Sequence, residues 1–458
     1  MKKVLVIGMD CASPKLLFEE FIEDLPNIRR LMGKGVHGKL RTIIPPITIP
    51  AWLSMVTGKD AGKLGLYGFR HRKNNSYTDI WLATRDKLKE KAVWHILGDN
   101  GLKSTVVGLP PSYPVEPING HIISGFMTPD TNRQYTHPPE LKHEIEDLVG
   151  EYLFDVVFRT DEKDKVLEGI YEMTGKRFRV IRYLLENKEW DLFFFVEIGL
   201  DRLQHGFWKY HDPTHHLHEP GNRFQSAIKD YYKYLDEEIG KLLEIIDDDT
   251  IVLIVSDHGA KAMKGCFCVN EWLMEQGYLK LKKSPEEVTD LEKADIDWSR
   301  TKAWGWGGYY ARIFINLKGR EAQGIVPPSE YDEVRDEISA RIMEIKDPQG
   351  TGMKNMVLKP EETYDVCNGD PPDLMVFYGD LSWRSAGTIG HGSMYLPEND
   401  KGPDDAVHDW QGVFMIYDPK HDNGKFVDER SILDIAPTIL NIMDIPVPED
   451  MKGEVIEW

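Results

Sequence analysis

Residues 250–260 read TIVLIVSDHGA, and no other stretch says more about the fold class. Five consecutive apolar residues, four of them β-branched, are too few for a buried helix. Without polar alternation they describe a strand covered on both faces. The run ends abruptly on Ser256, Asp257 and His258, so the chain turns polar where such a strand would leave its sheet. Elsewhere in the chain, residues 4–7, 105–107, 192–197 and 374–377 repeat the pattern of a short apolar run. Amphipathic segments at 161–186 and 231–246 stand between runs. Strand and helix in alternation predict an α/β fold, with a mainly parallel central sheet flanked by helices.

The chain has 458 residues, 41% of them hydrophobic and 29% charged, which is the composition of a globular protein with a sizeable core. That length exceeds what one hydrophobic core usually serves. Residues 279–361 differ in character: a charged stretch, SPEEVTDLEKADIDWSR, precedes AWGWGGYYARIFIN and a further amphipathic segment at 331–345. We read 279–361 as an inserted cap on a catalytic core formed by 1–278 and 362–458. The net charge of −20 argues against general nucleic-acid binding, which requires basic surface to displace counterions. It does not exclude a small anionic substrate held by cations in one cleft.

Four cysteines, Cys11, Cys266, Cys268 and Cys367, are too few and too uneven for a disulfide framework, so a cytoplasmic location is expected. Cys266 and Cys268 read as small buried residues, with metal or redox chemistry the alternative. The opening MKKVLVIGMD is interrupted by Asp10 too early for a signal peptide, and no run approaches the roughly 20 apolar residues of a membrane span.

In sheets of this class, ligands bind beyond the carboxyl ends of the strands. Asp10 follows VLVIGM, Asp201 follows FFFVEIGL, and Asp257-His258 follow TIVLIVS. His205 lies one helical turn after Asp201, and His408 stands in DDAVHDWQG, just before the apolar run GVFMIY. Each alone has a structural reading, as a strand-end carboxylate or a helix-start pair. Together, carboxylates and imidazoles in this mixture suit divalent metal, zinc first and manganese second. Two such ions neutralise a transferring phosphoryl group and both flanking oxygens. A hydroxyl nucleophile is then needed, and PPITIPAWLSMVTGK (45–59) offers Thr48, Ser54 and Thr57. Thr48 sits between Pro46 and Pro50, ahead of a helix start near Ala51. It reads either as a nucleophile beside oriented backbone amides or as an ordinary helix cap.

The ordered set Asp10, Thr48 in TIPAW, Asp201-x-x-x-His205, Asp257-His258 and a late His408 resembles the alkaline phosphatase superfamily. It is most similar to the type I phosphodiesterase and nucleotide pyrophosphatase branch, particularly its predicted phosphohydrolase and phosphomutase members. The C-terminal DIAPTILNIMDIPVPEDMKGEVI carries the resemblance to nearly the whole chain. It implies one metal held by Asp10, Thr48, Asp257 and His258, and a second held by Asp201, His205 and His408. It further implies a phosphothreonine intermediate at Thr48, later hydrolysed by water. His391, in a Gly-x-His-Gly setting, is the alternative last ligand. Where nucleotide pyrophosphatases carry Pro-Asn-His, this chain has Pro50-Ala51-Trp52. The Asn that helps hold a phosphate oxygen is therefore missing, and Lys261, Lys264, Arg202 and Arg312 are the candidate replacements.

The expected function is a metal-dependent phosphodiesterase or phosphomonoesterase acting on a small-molecule phosphoester. A phosphomutase or phosphotransferase using the same intermediate is the alternative, and so is a non-catalytic phosphometabolite-binding protein. Sulfate esters are disfavoured by the absence of a Cys-x-Pro-x-Arg segment. Trp304, Trp306, Tyr309 and Tyr310 read as an aromatic wall for substrate or as cap packing, with Trp306 the candidate contact. The histidines of KYHDPTHHLHEP (209–220) read as a polar loop ahead of a third metal site.

Overall fold

The computed structural model describes residues 2–421 and 424–458. The chain divides into two compact units, 1–64 with 83–260 and 408–458, and 65–82 with 261–407. The second unit is wider than the expected cap at 279–361, because its core starts before the charged stretch and ends well after it. Phe267, Trp272 and Ile389 are buried in one cluster with Trp304 and Phe314. Gly265–Cys268 also pairs with Trp383–Ala386, binding sequence from both flanks of the expected insertion into one sheet.

Among the described residues, the main sheet of the first unit has nine strands: β1 (Val4–Met9), β2 (Val36–Arg41), β3 (Ser104–Val107), β4 (Gly120–Ile123), β5 (Thr136–His137), β6 (Leu192–Glu197), β7 (Ile251–Val255), β8 (Gln411–Tyr417) and β9 (Lys425–Ser431). They lie in the order β9-β2-β8-β7-β1-β6-β3-β4-β5. The block from β7 to β4 is parallel throughout. β8 runs antiparallel against β7 and β2, and β5 antiparallel against β4. Every residue of β1, β6 and β7 is buried, which explains why their sequences lack alternation.

Four helices carry or brace the strand-end residues: α1 (Thr48–Thr57), α2 (Lys163–Asn187), α3 (Gly199–His211) and α4 (Ala227–Ile245). α1 begins at Thr48, three residues before the expected start. Pro50 falls in its first turn, where the missing N–H has no carbonyl four residues back to bond.

The second unit is dominated by antiparallel pairing. Ala303–Trp306, Ala311–Ile315, Leu374–Phe377 and Met356–Leu358 form one sheet in that order. Leu374–Phe377 is thus a strand, as its apolar run predicts, but not a strand of the parallel sheet. Burial on both faces gives the same sequence signature in either kind of sheet.

Candidate metal centre and nucleophile

Register alone brings the strand-end residues together. Met9 pairs with Glu197 and Gly8 with Val255, so β1, β6 and β7 end level. Asp10, the start of α3 and Asp257 therefore leave the sheet at one edge. β8 runs antiparallel beside β7, with Phe414 opposite Val255, so its entrance lies beside the exit of β7. His408 reaches His258 by that route. Their rings stack at a centroid distance of 3.6 Å and an interplanar angle of 17°.

Asp10, Thr48, Asp201, His205, Asp257, His258 and His408 are all buried in the first unit. Thr48 Oγ1 lies 3.2 Å from His258 Nε2, and the helix N-cap is Ile47, with no side-chain capping bond. The capping reading of Thr48 therefore does not describe it. His258 Nε2 is 3.0 Å from Asp257 Oδ2 and 3.8 Å from Asp10 Oδ1. Asp201 Oδ1 is 3.3 Å from His205 Nε2 and 3.8 Å from His408 Nε2.

The donor set suits cations. His408 Nδ1 faces Pro46 O at 2.7 Å and His258 Nδ1 faces Gly259 O at 3.1 Å. A carbonyl only accepts, so each Nδ1 carries the proton and each Nε2 presents a lone pair to the site. Asp10 Oδ1, Asp201 Oδ1 and Asp257 Oδ2 are buried without a hydrogen-bond partner, which leaves three carboxylate oxygens open to a cation. Three groups bring ligand atoms within 4.8 Å of one another: Asp10, Asp257 and His258; Asp201, His258 and His408; and Cys11, Asp201 and His205.

The electrostatics agree. Burial, then the charges of Asp257 and Asp201, push the Asp10 carboxyl well above its ordinary range. Burial acts the same way on Asp201, but His205 and Arg202 overcome it and hold that carboxyl well below. Burial, then His258 and His205, hold His408 well below the usual imidazole value, which keeps it neutral and able to ligate.

Sequence reading missed the groups that hold these ligands in place. Trp52 Nε1 donates to Asp10 Oδ2 at 2.8 Å, turning the other oxygen to the site. Glu197 at the end of β6 accepts from Gly199 N, Thr174 Oγ1 and Tyr231 Oη, tying the start of α3 to α2 and α4. A carboxylate closing an otherwise apolar strand, LFFFVE, was the available signal for Glu197.

Of the other expected contacts, Arg202, Lys261 and Arg312 have partners outside the ligand cluster and Lys264 is exposed. Arg202 donates to both carboxylate oxygens of Asp155 at 2.7 and 2.9 Å and to Asp201 at 2.5 Å. Its guanidinium lies over the rings of Phe126 and Phe158, at 5.0 and 4.9 Å from their centroids. Lys261, Lys264, Arg312 and Trp306 belong to the second unit. Lys261 is 3.7 Å from Asp380, Lys264 is exposed, and Arg312 donates to Arg70 O with its guanidinium over Trp306. Trp304, Trp306 and Tyr310 are buried among core residues, which is the packing reading of the aromatic segment. His391 also lies in the second unit, 2.7 Å from Thr388 Oγ1, and belongs to none of the three ligand groups found among the described residues. In the 209–220 loop, His218 Nδ1 donates to Lys209 O and His211 faces Glu20.

The model of the type I phosphodiesterase / nucleotide pyrophosphatase family matches residues 4–404. The chain belongs to this family. It is accordingly an enzyme of the phosphoester hydrolase class. Murine ectonucleotide pyrophosphatase / phosphodiesterase 5, in an inactive form in complex with AMP, is similar in structure. The TM-score is 0.56 at 13% identity, covering 99% of this chain and 98% of that one. The human counterpart gives 0.58 at 14%, covering 98% and 97%. At such identities the likeness concerns the fold. A 2,3-bisphosphoglycerate-independent phosphoglycerate mutase from Clostridioides difficile (strain 630) is 31% identical over 105 residues, which span 22% of this chain and 20% of the mutase. Among the described residues no helix is long and apolar enough to cross a membrane.

Proposed function

We propose that the protein hydrolyses a small-molecule phosphate mono- or diester through Thr48, with two divalent cations, zinc before manganese. Asp10, Thr48, Asp257 and His258 would hold one ion and Asp201, His205 and His408 the other. When bound, the ions supply positive charge that stabilises the phosphoryl oxygens and lowers the pKa of the Thr48 hydroxyl. The observation that carries the reading is Thr48 Oγ1 at the first turn of α1, 3.2 Å from His258 Nε2.

Thr48 Oγ forms a bond to phosphorus as the bond to the leaving alcohol breaks. The Thr48 proton passes to solvent, the departing alkoxide takes a proton from solvent, and water later cleaves the phosphothreonine, regenerating the hydroxyl and releasing phosphate or a phosphomonoester. The amides of Thr48 and Ile49, which have no helical carbonyl behind them, are suited to the phosphoryl oxygens. Ala51 stands where the nucleotide pyrophosphatases carry their phosphate-binding Asn, and Trp52 beside it is turned onto Asp10 and fully buried. This favours a substrate recognised otherwise than as a nucleotide diester. The match to a mutase supports a second reading, transfer of the phosphoryl group from Thr48 to another alcohol instead of water.

Turnover of mono- and bis-p-nitrophenyl phosphate with added zinc or manganese tests the proposal. Thr48→Ala is expected to lose at least about three orders of magnitude in kcat while retaining its metal. Activity within about tenfold of the parent would move the nucleophile elsewhere. Phosphate recovered on an added alcohol rather than in solution would favour the transfer reading.

A further inference from the structure

Cys11 is the one residue of the buried cluster that the proposed ligand sets leave unused, and its surroundings are built around it. Its amide donates to Asp257 Oδ1 at 3.2 Å, and its carbonyl accepts from Gln204 Nε2 at 2.7 Å. The backbone of Cys11 thus ties the loop after β7 to the helix that carries Asp201 and His205. Its φ is +68°, a left-handed conformation that glycine adopts without steric cost and other residues adopt at a penalty. The chain places a side chain there nonetheless. Cys11 is fully buried, and its Sγ makes a long contact to Gly259 O at 3.4 Å.

Sγ, a carboxylate oxygen of Asp201 and a ring nitrogen of His205 lie within 4.8 Å of one another, close enough for one ion to reach all three. Independently, Asp201 is 1% exposed; Arg202 takes its Oδ2 at 2.5 Å, while its Oδ1 is buried without a hydrogen-bond partner, 3.3 Å from His205 Nε2, so the cluster keeps one carboxylate oxygen open to a cation.

We propose that Cys11 is a thiolate ligand of the ion held by Asp201 and His205, and that it makes this position selective for a thiophilic metal; the inference rests on the two-cation reading above. On binding, Sγ gives its proton to solvent, the contact to Gly259 O is released and a sulfur–metal bond forms. Thiolate favours zinc or cobalt over manganese and magnesium, whereas a purely oxygen and nitrogen set discriminates less between them. The backbone anchors at Asp257 and Gln204 fix the thiol without help from the metal, so the ligand is positioned in advance.

Cobalt(II) titration of the full-length protein tests this by a readout that does not depend on activity. The parent is expected to bind two cobalt ions and to show thiolate-to-cobalt charge-transfer absorption. Cys11→Ser and Cys11→Gly, the second suited to the positive φ, should still bind cobalt but lack that absorption. Their zinc affinity should fall at least about tenfold while manganese affinity changes little. Two cobalt ions bound to the parent without charge transfer, or charge transfer persisting in both variants, would overturn the role of Cys11 and leave the two-cation reading standing. Failure of the parent to bind cobalt, zinc or manganese would overturn both.

Discussion

At the scale of single residues, burial decides which side chains can do chemistry and which are fixed by packing. His71 illustrates the second case. It lies in the second unit, 2% exposed, accepts a hydrogen bond from Tyr67 N at 2.8 Å, and stacks on Trp81 at 4.2 Å. Burial, then the charge of Arg312, push its pKa down to about 3. The unfolded value is 6.5, so above that pH neither state carries the proton and the group has no effect. Between pH 6.5 and 3 the unfolded chain takes up a proton that the folded one refuses, and stability falls as pH falls, by up to about 5 kcal/mol. Urea midpoints followed by tryptophan fluorescence should therefore drop steeply across this window. His71→Gln, which can still accept from Tyr67 N, should flatten that slope, and an unchanged slope would show that other groups carry the acid sensitivity. Sequence reading had no means of finding His71, because its environment is made by the Arg70–Arg72 and Ile80–Leu82 hairpin. Asp10, Asp257 and His258 were legible because a polar residue directly after an apolar run has few packing roles. Cys11, one place after Asp10, was weighed only in the count of cysteines and given no role.

At the scale of elements, apolar runs located β1, β6 and β7 to within two residues, since a strand buried on both faces leaves little freedom in composition. The runs could not say which strands are neighbours, and this is why Leu374–Phe377 looked like part of the parallel sheet. The choice between His408 and His391 likewise depends on β8 lying against β7, a fact of sheet order and not of local sequence. One contact between elements couples packing to the site. A Cβ added at Gly8 in β1 would lie 2.7 Å from Trp52 Cη2 and 2.8 Å from Phe195 O, so the strand admits no side chain where α1 crosses it. Trp52 is the donor to Asp10 Oδ2. Gly8→Ala should therefore cost about 1–3 kcal/mol through overpacking, and the displaced indole should also weaken metal binding at Asp10. Trp52→Phe separates the effects, since it removes the N–H while keeping most of the ring. It should reduce metal affinity by about 10- to 100-fold with a smaller loss of stability. Unchanged affinity in both variants would show that Asp10 is oriented without the indole.

At the scale of the whole molecule, the seven expected ligands come from five separated stretches of sequence but belong to one of the two units. The remaining candidate contacts in Lys261, Lys264, Arg312 and Trp306 belong to the other. The division was only partly legible. The charged stretch fell inside the second unit, while the limits of that unit depend on long-range pairing such as Gly265–Cys268 with Trp383–Ala386. Each unit has its own sheet and buried cluster, so each has the means to open as its own cooperative body. A ligand that binds only the folded state stabilises that state by mass action, about 2.7 kcal/mol at a hundred times its dissociation constant. If every ligand is in the first unit, zinc should raise amide protection there by up to about 100-fold, in peptides from 1–64, 83–260 and 408–458. Peptides from 65–82 and 261–407 should keep the exchange rates of the metal-free protein. Hydrogen–deuterium exchange with and without zinc measures this directly. Equal protection across both sets would mean that the units open together, and protection confined to 261–407 would place the metal away from Asp10, Asp201 and Asp257. The Gly390–His391 turn is the sharpest internal control, because the alternative placement of the last ligand requires zinc to slow exchange there, whereas ligation by His408 leaves it unchanged.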